Sequence, residues 1–244
     1  MYRKLIPALS KSRRVIAMDT LGFGNSDPAP PSYKQIGDYA QNVAHFLDAM
    51  AIEETDILGA LTGSVIATEV AVQFPQRVRR QILFPYVMWL TQEERAKRIE
   101  EVQKTASITP KADGSHVLDV LKHAYGRNVE KGSPVENVDF EYMDGWIADA
   151  VKAGPRVTEI ALKVYHHVSE SRLPLVKAPT LVIGLGGEIM QRYITPDRAK
   201  LIHSLIPGSK FVVMNGPDAD FRVWYARRNE LAEIIVPFLE GTSS

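Results

Sequence analysis

Chemistry in this chain has to come from a short list of side chains. Three carboxylates, Glu188, Asp218 and Asp220, fall in two loops near the carboxyl-terminal third. Brought together they could hold a cation through hard oxygen ligands, or they are solvated loop carboxylates, with Asp220 open to a raised pKa on burial. His166 and His167 are adjacent in a helical stretch. Neighbours on a helix point ~100° apart, so the two cannot share one metal, and a structural role is the expectation. Thr62 and Ser64 are hydroxyls at the start of a helix; they are candidates for a displaced nucleophile or for ordinary helix-start hydrogen bonding. Gly184-Leu185-Gly186-Gly187 suggests a dinucleotide loop, but the third required glycine falls at Ile189, so the match fails. Trp89, Tyr142 and Trp146 offer aromatic surface. Tyr142 and Trp146 stand at i and i+4, on one helix face, and either pack a helical layer onto the core or wall a pocket for an apolar small molecule. The chain has no cysteine, which removes disulfides, thiolate metal sites and a thiol nucleophile. No metal and no cofactor are expected.

The elements that must position these groups alternate. Apolar runs at 14–18, 55–60, 80–84, 179–184 and 210–214 read as buried strands. Helical periodicity covers 33–50, where Ile36, Tyr39, Ala40, Val43, Phe46, Leu47 and Met50 share a face, and also 63–74, 196–205 and 222–239. The alternation predicts an α/β fold, a mostly parallel sheet flanked by helices. Residues 90–173 break it with four helical patterns, near 92–105, 115–125, 139–152 and 156–170. The expected division is a core of 1–87 and 174–244 with a helical insertion at 88–173. At 244 residues the length suits one domain with an insertion or two domains. Lysine plus arginine equals aspartate plus glutamate at 29 each, which argues against a nucleic-acid partner. No apolar run reaches the ~20 residues of a membrane span, and the start lacks a signal peptide's apolar core, so a cytoplasmic location is expected.

Arg14-Val-Ile-Ala-Met-Asp-Thr-Leu-Gly-Phe-Gly-Asn-Ser-Asp27 resembles the Asp-x-x-Gly-x-Gly-x-Ser loop of the α/β-hydrolase superfamily, in its lidded branch of esterases, epoxide hydrolases and dehalogenases. Ile57 to Phe74 is similar to that family's strand–elbow–helix segment, and Pro179 to Val213 to the segment carrying its acid. The resemblance implies an α/β-hydrolase fold with the insertion as a lid over a pocket at the strands' carboxyl ends. It also implies a nucleophile in Gly-x-Ser-x-Gly. Here that stretch is Gly59-Ala60-Leu61-Thr62-Gly63, so Leu61 stands at the nucleophile position and has no atom that can attack. Glu188 falls at the acid position. The histidine position falls at Ala219 by ungapped counting, or at Asp220 when anchored on Phe221. Neither is a histidine.

The family places further strands and an oxyanion loop before the segment resembling Tyr2–Ser10. Its third strand lies between the counterparts of 14–18 and 55–59. Either those two strands pair directly here, or the chain is an amino-terminally shortened version of a longer protein; shortening is the expectation. The pocket candidates are Ala60, Thr62, Trp89, Tyr142 and Trp146. The expected function is binding of a small apolar molecule, or its transformation without a serine nucleophile. The alternatives are an active ester, lactone or epoxide hydrolase with relocated groups, and an inactive shortened hydrolase.

Overall fold

The computed structural model describes residues 2–89, 91–105, 110–129, 140–187, 195–216, 218–219 and 221–242. Four parallel strands, β1 (Thr55–Leu61), β2 (Val78–Tyr86), β3 (Thr180–Leu185) and β4 (Lys210–Met214), form one sheet in the order β1-β2-β3-β4. Every residue of β3 is buried, and so is β2 from Gln81 onward, while β1 and β4 at the edges are largely half-buried. A parallel strand covered on both faces must be apolar throughout, and Ile82-Leu83-Phe84 and Leu181-Val182-Ile183 are. Their side chains alternate between two cores. Leu83 and Val182 join the cluster under α2 (Asp38–Ala49), α3 (Thr62–Gln73), α7 (Arg156–His166) and α9 (Pro196–Leu205). Ile82, Phe84, Leu181 and Ile183 join the cluster under α1 (Ile6–Leu9) and α10 (Arg228–Glu240).

The expected strand at 14–18 does not form. Residues 14–20 carry no strand pairing, and among the described residues no ladder joins 14–18 to 55–59. Ile16 is 40% exposed, and only Val15 packs on the second cluster. The apolar pattern is real, but a strand is held by a backbone partner, and none lies beside this segment. Two helices also end differently from their periodicity. The turn before α2 consumes 33–37, because the Asp38 carboxylate accepts the amides of Lys34 and Gln35 at 2.6 and 2.9 Å. The expected helix 222–239 divides into a 3₁₀ turn, Phe221–Trp224, and α10. The turn buries Trp224 against Phe84, ring centroids 4.9 Å apart.

Between β2 and β3 run α4 (Gln92–Thr105), α5 (Ser115–Val129), α6 (Phe140–Ala153), α7 and the short α8 (Ser169–Arg172). The periodicity at 156–170 runs through a break: α7 ends at His166, and His167 is extended, φ −70° and ψ 132°. The helices are not equivalent. Ile160 and Val164 of α7 belong to the first core, whereas Val120 of α5 packs with Met143, Ile147 and Ala150 of α6 in a small cluster of their own. α4 is tied to α9 by the Arg198–Glu94 ion pair, and Arg198 also donates to the Met88 carbonyl at 2.6 Å.

Candidate functional site

β1 passes into α3 with no intervening loop. The joining residue, Leu61, has φ 52° and ψ −119°. A branched side chain at positive φ is strained by about 1–3 kcal/mol and persists only where its surroundings force it. Gly59 shows how they do. A Cβ there would lie 2.3 Å from the Gly63 carbonyl oxygen and 2.7 Å from the Ser64 Cα, so the strand and the first turn of α3 touch backbone to backbone. Gly63 itself has open space around it. Ser64, fully buried, donates from its hydroxyl to the Leu61 carbonyl at 2.6 Å, and Thr68 donates to the Ser64 carbonyl at 3.0 Å. The Ser64 hydroxyl is therefore part of the turn's lock. Ala60 is buried in the second core, and Thr62 is half-buried as the first residue of α3. The turn sits at the carboxyl edge of the sheet, with Leu61 in register with Tyr86 on β2.

Glu188 and Asp220 lie outside the described residues, but their flanks meet. Gly186 donates its amide to the Met214 carbonyl and Gly187 to the Ala219 carbonyl, both at 2.8 Å. A Cβ on Gly186 would strike the Asn215 side chain at 2.3 Å. The loop after β3 thus lies against the loop after β4, and the residue preceding Glu188 is bonded to Ala219, which is fully buried. Asp218 turns there with φ 60°.

Of the aromatic candidates, Trp89 is buried, edge-on to Tyr165 at 5.2 Å. Trp146 is 39% exposed on α6, and the Tyr142 side chain lies outside what is described. Among the described residues no group of three or more His, Asp or Glu side chains is placed to hold a metal. No helix among them is long and apolar enough to cross a membrane. A surface cavity of about 320 Å³, lined by Ser32, Tyr33, Gln35, Gly37, Asp38, Gln41 and Gln73, opens at the far end of α3. At 1.5 Å per residue that is about 18 Å from Leu61, so it is separate from the turn.

One constellation escaped the sequence reading. Glu69, in mid-α3 among Val65, Ile66, Ala67, Val70 and Ala71, is 3% exposed. Its Oε1 accepts from Arg172 Nε at 2.7 Å and lies 2.8 Å from His167 Nε2; its Oε2 accepts from Arg172 Nη2 at 3.0 Å and Gln73 Nε2 at 2.8 Å. Burial alone would raise the carboxyl pKa, but the hydrogen bonds from His167, Arg172 and Gln73 outweigh it and pull it down to about 2. Tyr86 donates to Ser169 Oγ at 3.0 Å, and burial pushes its phenol up to about 12. The two histidines separate because the helix ends between them: His166 is exposed and the extended His167 faces Glu69. A lone carboxylate inside an apolar helical run was the available signal, because such a group must find partners.

The profile of the alpha/beta hydrolase fold matches residues 1–84. A 2-hydroxymuconate semialdehyde hydrolase from a Pseudomonas species is 43% identical over 83 residues, which is 34% of this chain and 29% of that protein. A 2-hydroxy-6-oxo-2,4-heptadienoate hydrolase from Pseudomonas putida is 34% identical over 82 residues, 34% of this chain and 30% of that one. The chain thus spans under a third of the length of these curated relatives. Solved structures extend the likeness in shape. An enol-lactonase from Burkholderia xenovorans superposes with a TM-score of 0.71 at 18% identity, over 98% of this chain and 85% of that one. A hydrolase from Oleispira antarctica does so with a TM-score of 0.74 at 15% identity, over 98% and 85%.

Proposed function

We propose, from the premise that this chain has the α/β-hydrolase fold, that it binds a small, largely apolar molecule at the carboxyl edge of the sheet and does not hydrolyse it by a serine or aspartate nucleophile. The observation that carries this reading is Leu61 itself. The turn keeps the backbone geometry that presents a side chain at the head of α3, including the strained φ of 52° and the close approach at Gly59. The side chain it presents is a hydrocarbon, which can line a pocket but cannot attack a carbonyl, an epoxide or a carbon–halogen bond. Asp220 or Ala219 at the histidine position leaves no imidazole there. Glu188 alone could orient a histidine, but a triad with two members missing retains nothing of its unit. On this reading Leu61, Ala60 and Thr62 form the pocket floor, Trp89 comes from the segment after β2, and Tyr142 and Trp146 come from α6. The Thr62 amide, at the positive end of α3, would meet a ligand carbonyl or carboxylate. The names of the relatives make conjugated oxo-dienoates the first ligands to try.

Intrinsic fluorescence titrated with 4-nitrophenyl butyl ether, run beside turnover of 4-nitrophenyl butyrate, tests the reading. Saturable binding without turnover is expected. Turnover at an enzymatic rate would restore the hydrolase with relocated groups, and absence of both binding and turnover would favour an inactive hydrolase relative.

A further inference from the structure

The chain Tyr86–Ser169–His167–Glu69–Arg172 has an internal logic that hydrogen-bond inventory can resolve. Tyr86 donates its O–H to Ser169 Oγ at 3.0 Å. Ser169 Oγ lies 2.9 Å from His167 Nδ1, and His167 Nε2 lies 2.8 Å from Glu69 Oε1. With its oxygen already accepting from Tyr86, the Ser169 proton has Nδ1 as its acceptor. Nε2 then carries the ring proton and donates to Glu69. Every donor points one way, from β2 through the α7–α8 junction into α3, and ends on a carboxylate that Arg172 grips with two parallel bonds. Gln73 completes the shell, donating to Glu69 and to the Gly37 carbonyl at 3.1 Å. Gly37 packs closely on this shell: a Cβ there would come within 3.1 Å of Gln73 Nε2 and 3.4 Å of Glu69 Oε2.

Ser169, His167 and Glu69 share the connectivity of a nucleophile–base–acid relay, and two features argue against that use. Ser169 is 4% exposed, so a substrate cannot reach it. Its oxygen also accepts a bond from Tyr86, which takes one of its two lone pairs and lowers its nucleophilicity. What the network does join is elements. His167 and Arg172 flank the point where the helices inserted between β2 and β3 return to the sheet, and both close on one residue of the core helix α3. The segment they anchor includes α7, whose Ile160 and Val164 enter the main core, while α5 and α6 have a separate small cluster. Arg95 of α4 adds an ion pair to Glu170 of α8 at 2.6 Å, so α8 gathers bonds from both sides.

We propose that Glu69, His167 and Arg172 form a buried latch that fixes the α7–α8 end of the inserted helices to α3, and that its release frees α7 and α8 while the sheet stays folded. A latch differs from a general core contact in the selectivity of its loss. Backbone hydrogen exchange on the full chain and on Glu69→Gln reads that selectivity directly. The expected result is exchange at least tenfold faster at Ile160 and Val164 of α7 and at Ser171 of α8, with Leu83 of β2 and Val182 of β3 unchanged. Arg172→Met, which removes one arm and leaves His167 and Gln73 on the carboxylate, should show the same pattern to a smaller degree. Equal acceleration in α7 and in the sheet, no acceleration at all, or failure of both variants to fold would overturn the proposal, since a latch is dispensable to the sheet. Labelling of the unaltered chain by a fluorophosphonate at Ser169 would overturn it too, by showing a reactive relay.

Discussion

At the head of α3, Leu61 is held in a strained backbone conformation by Gly59 and Ser64, and its half-buried hydrocarbon side chain packs against the second core. About 12 Å further along the same helix, Glu69 gathers a histidine, an arginine, a glutamine and, through the histidine, a serine and a tyrosine, with the carboxylate, the serine and the tyrosine buried. The first site is a strained turn that carries a hydrocarbon; the second is a set of polar groups whose centre lies inside the fold. The difference teaches that the strained turn is held by the close backbone approach at Gly59 and by the Ser64 hydroxyl on the Leu61 carbonyl, not by the Leu61 side chain's chemistry. Polar side chains in the interior, by contrast, are explained first by what they hold together.

The comparison is broken most forcefully at Glu69. Glu69→Ala strips the acceptor from His167, Gln73 and the partly exposed Arg172, and hydrogen exchange should show local opening of α7 and α8 made easier by about 1–3 kcal/mol. The same carboxylate sets an acid limit. Its pKa is lowered from 4.5 to about 2 in the folded chain, so its contribution is present above about pH 4.5 and is lost as pH falls through 2. The urea midpoint of the parent should therefore fall across that window. In Glu69→Gln that component should be absent.

At the turn, Gly59→Ala drives a Cβ into the backbone of Gly63 and Ser64, and should cost about 1–3 kcal/mol by the same measurement. Gly63→Ala, with open space around it, should cost less. Tyr86→Phe removes one buried hydrogen bond, about 1 kcal/mol at neutral pH. It also removes an alkaline component: a phenol raised from 10 to about 12 stabilises fully below pH 10 and is lost as pH rises through 12. The smallest effect belongs to Leu61→Gly. Relief of strain offsets the lost half-buried side chain, leaving a change within about 1 kcal/mol. Leu83→Ala in the central strand should cost about 2–5 kcal/mol.

Much of the architecture was legible. The runs at 55–60, 80–84, 179–184 and 210–214 are the four strands, because a parallel strand buried on both faces has no polar alternation to hide it. The run at 14–18 is as apolar as these and forms no strand, since strand formation depends on a neighbour that composition does not report. Leu61 was legible from glycine spacing, which encodes the tight turn. Glu69 and its partners were not. Glu69 and Arg172 are more than a hundred residues apart in sequence, and only the packing of α7 and α8 on α3 brings them together. For His167 the adjacent pair of histidines pointed to a structural role but not to its partner, which is the Glu69 carboxylate.

The proposal that the turn at Leu61 carries no nucleophile has a direct test. Turnover of 4-nitrophenyl butyrate by the parent, by Leu61→Ser and by Leu61→Ser with Asp220→His is the decisive measurement. The members of a triad act as a unit, so restoring one should return little. No enzymatic turnover is expected from the parent or from Leu61→Ser, and at most a weak gain from the double variant. Ester hydrolysis at an enzymatic rate by the parent, or its appearance on Leu61→Ser alone, would contradict the account.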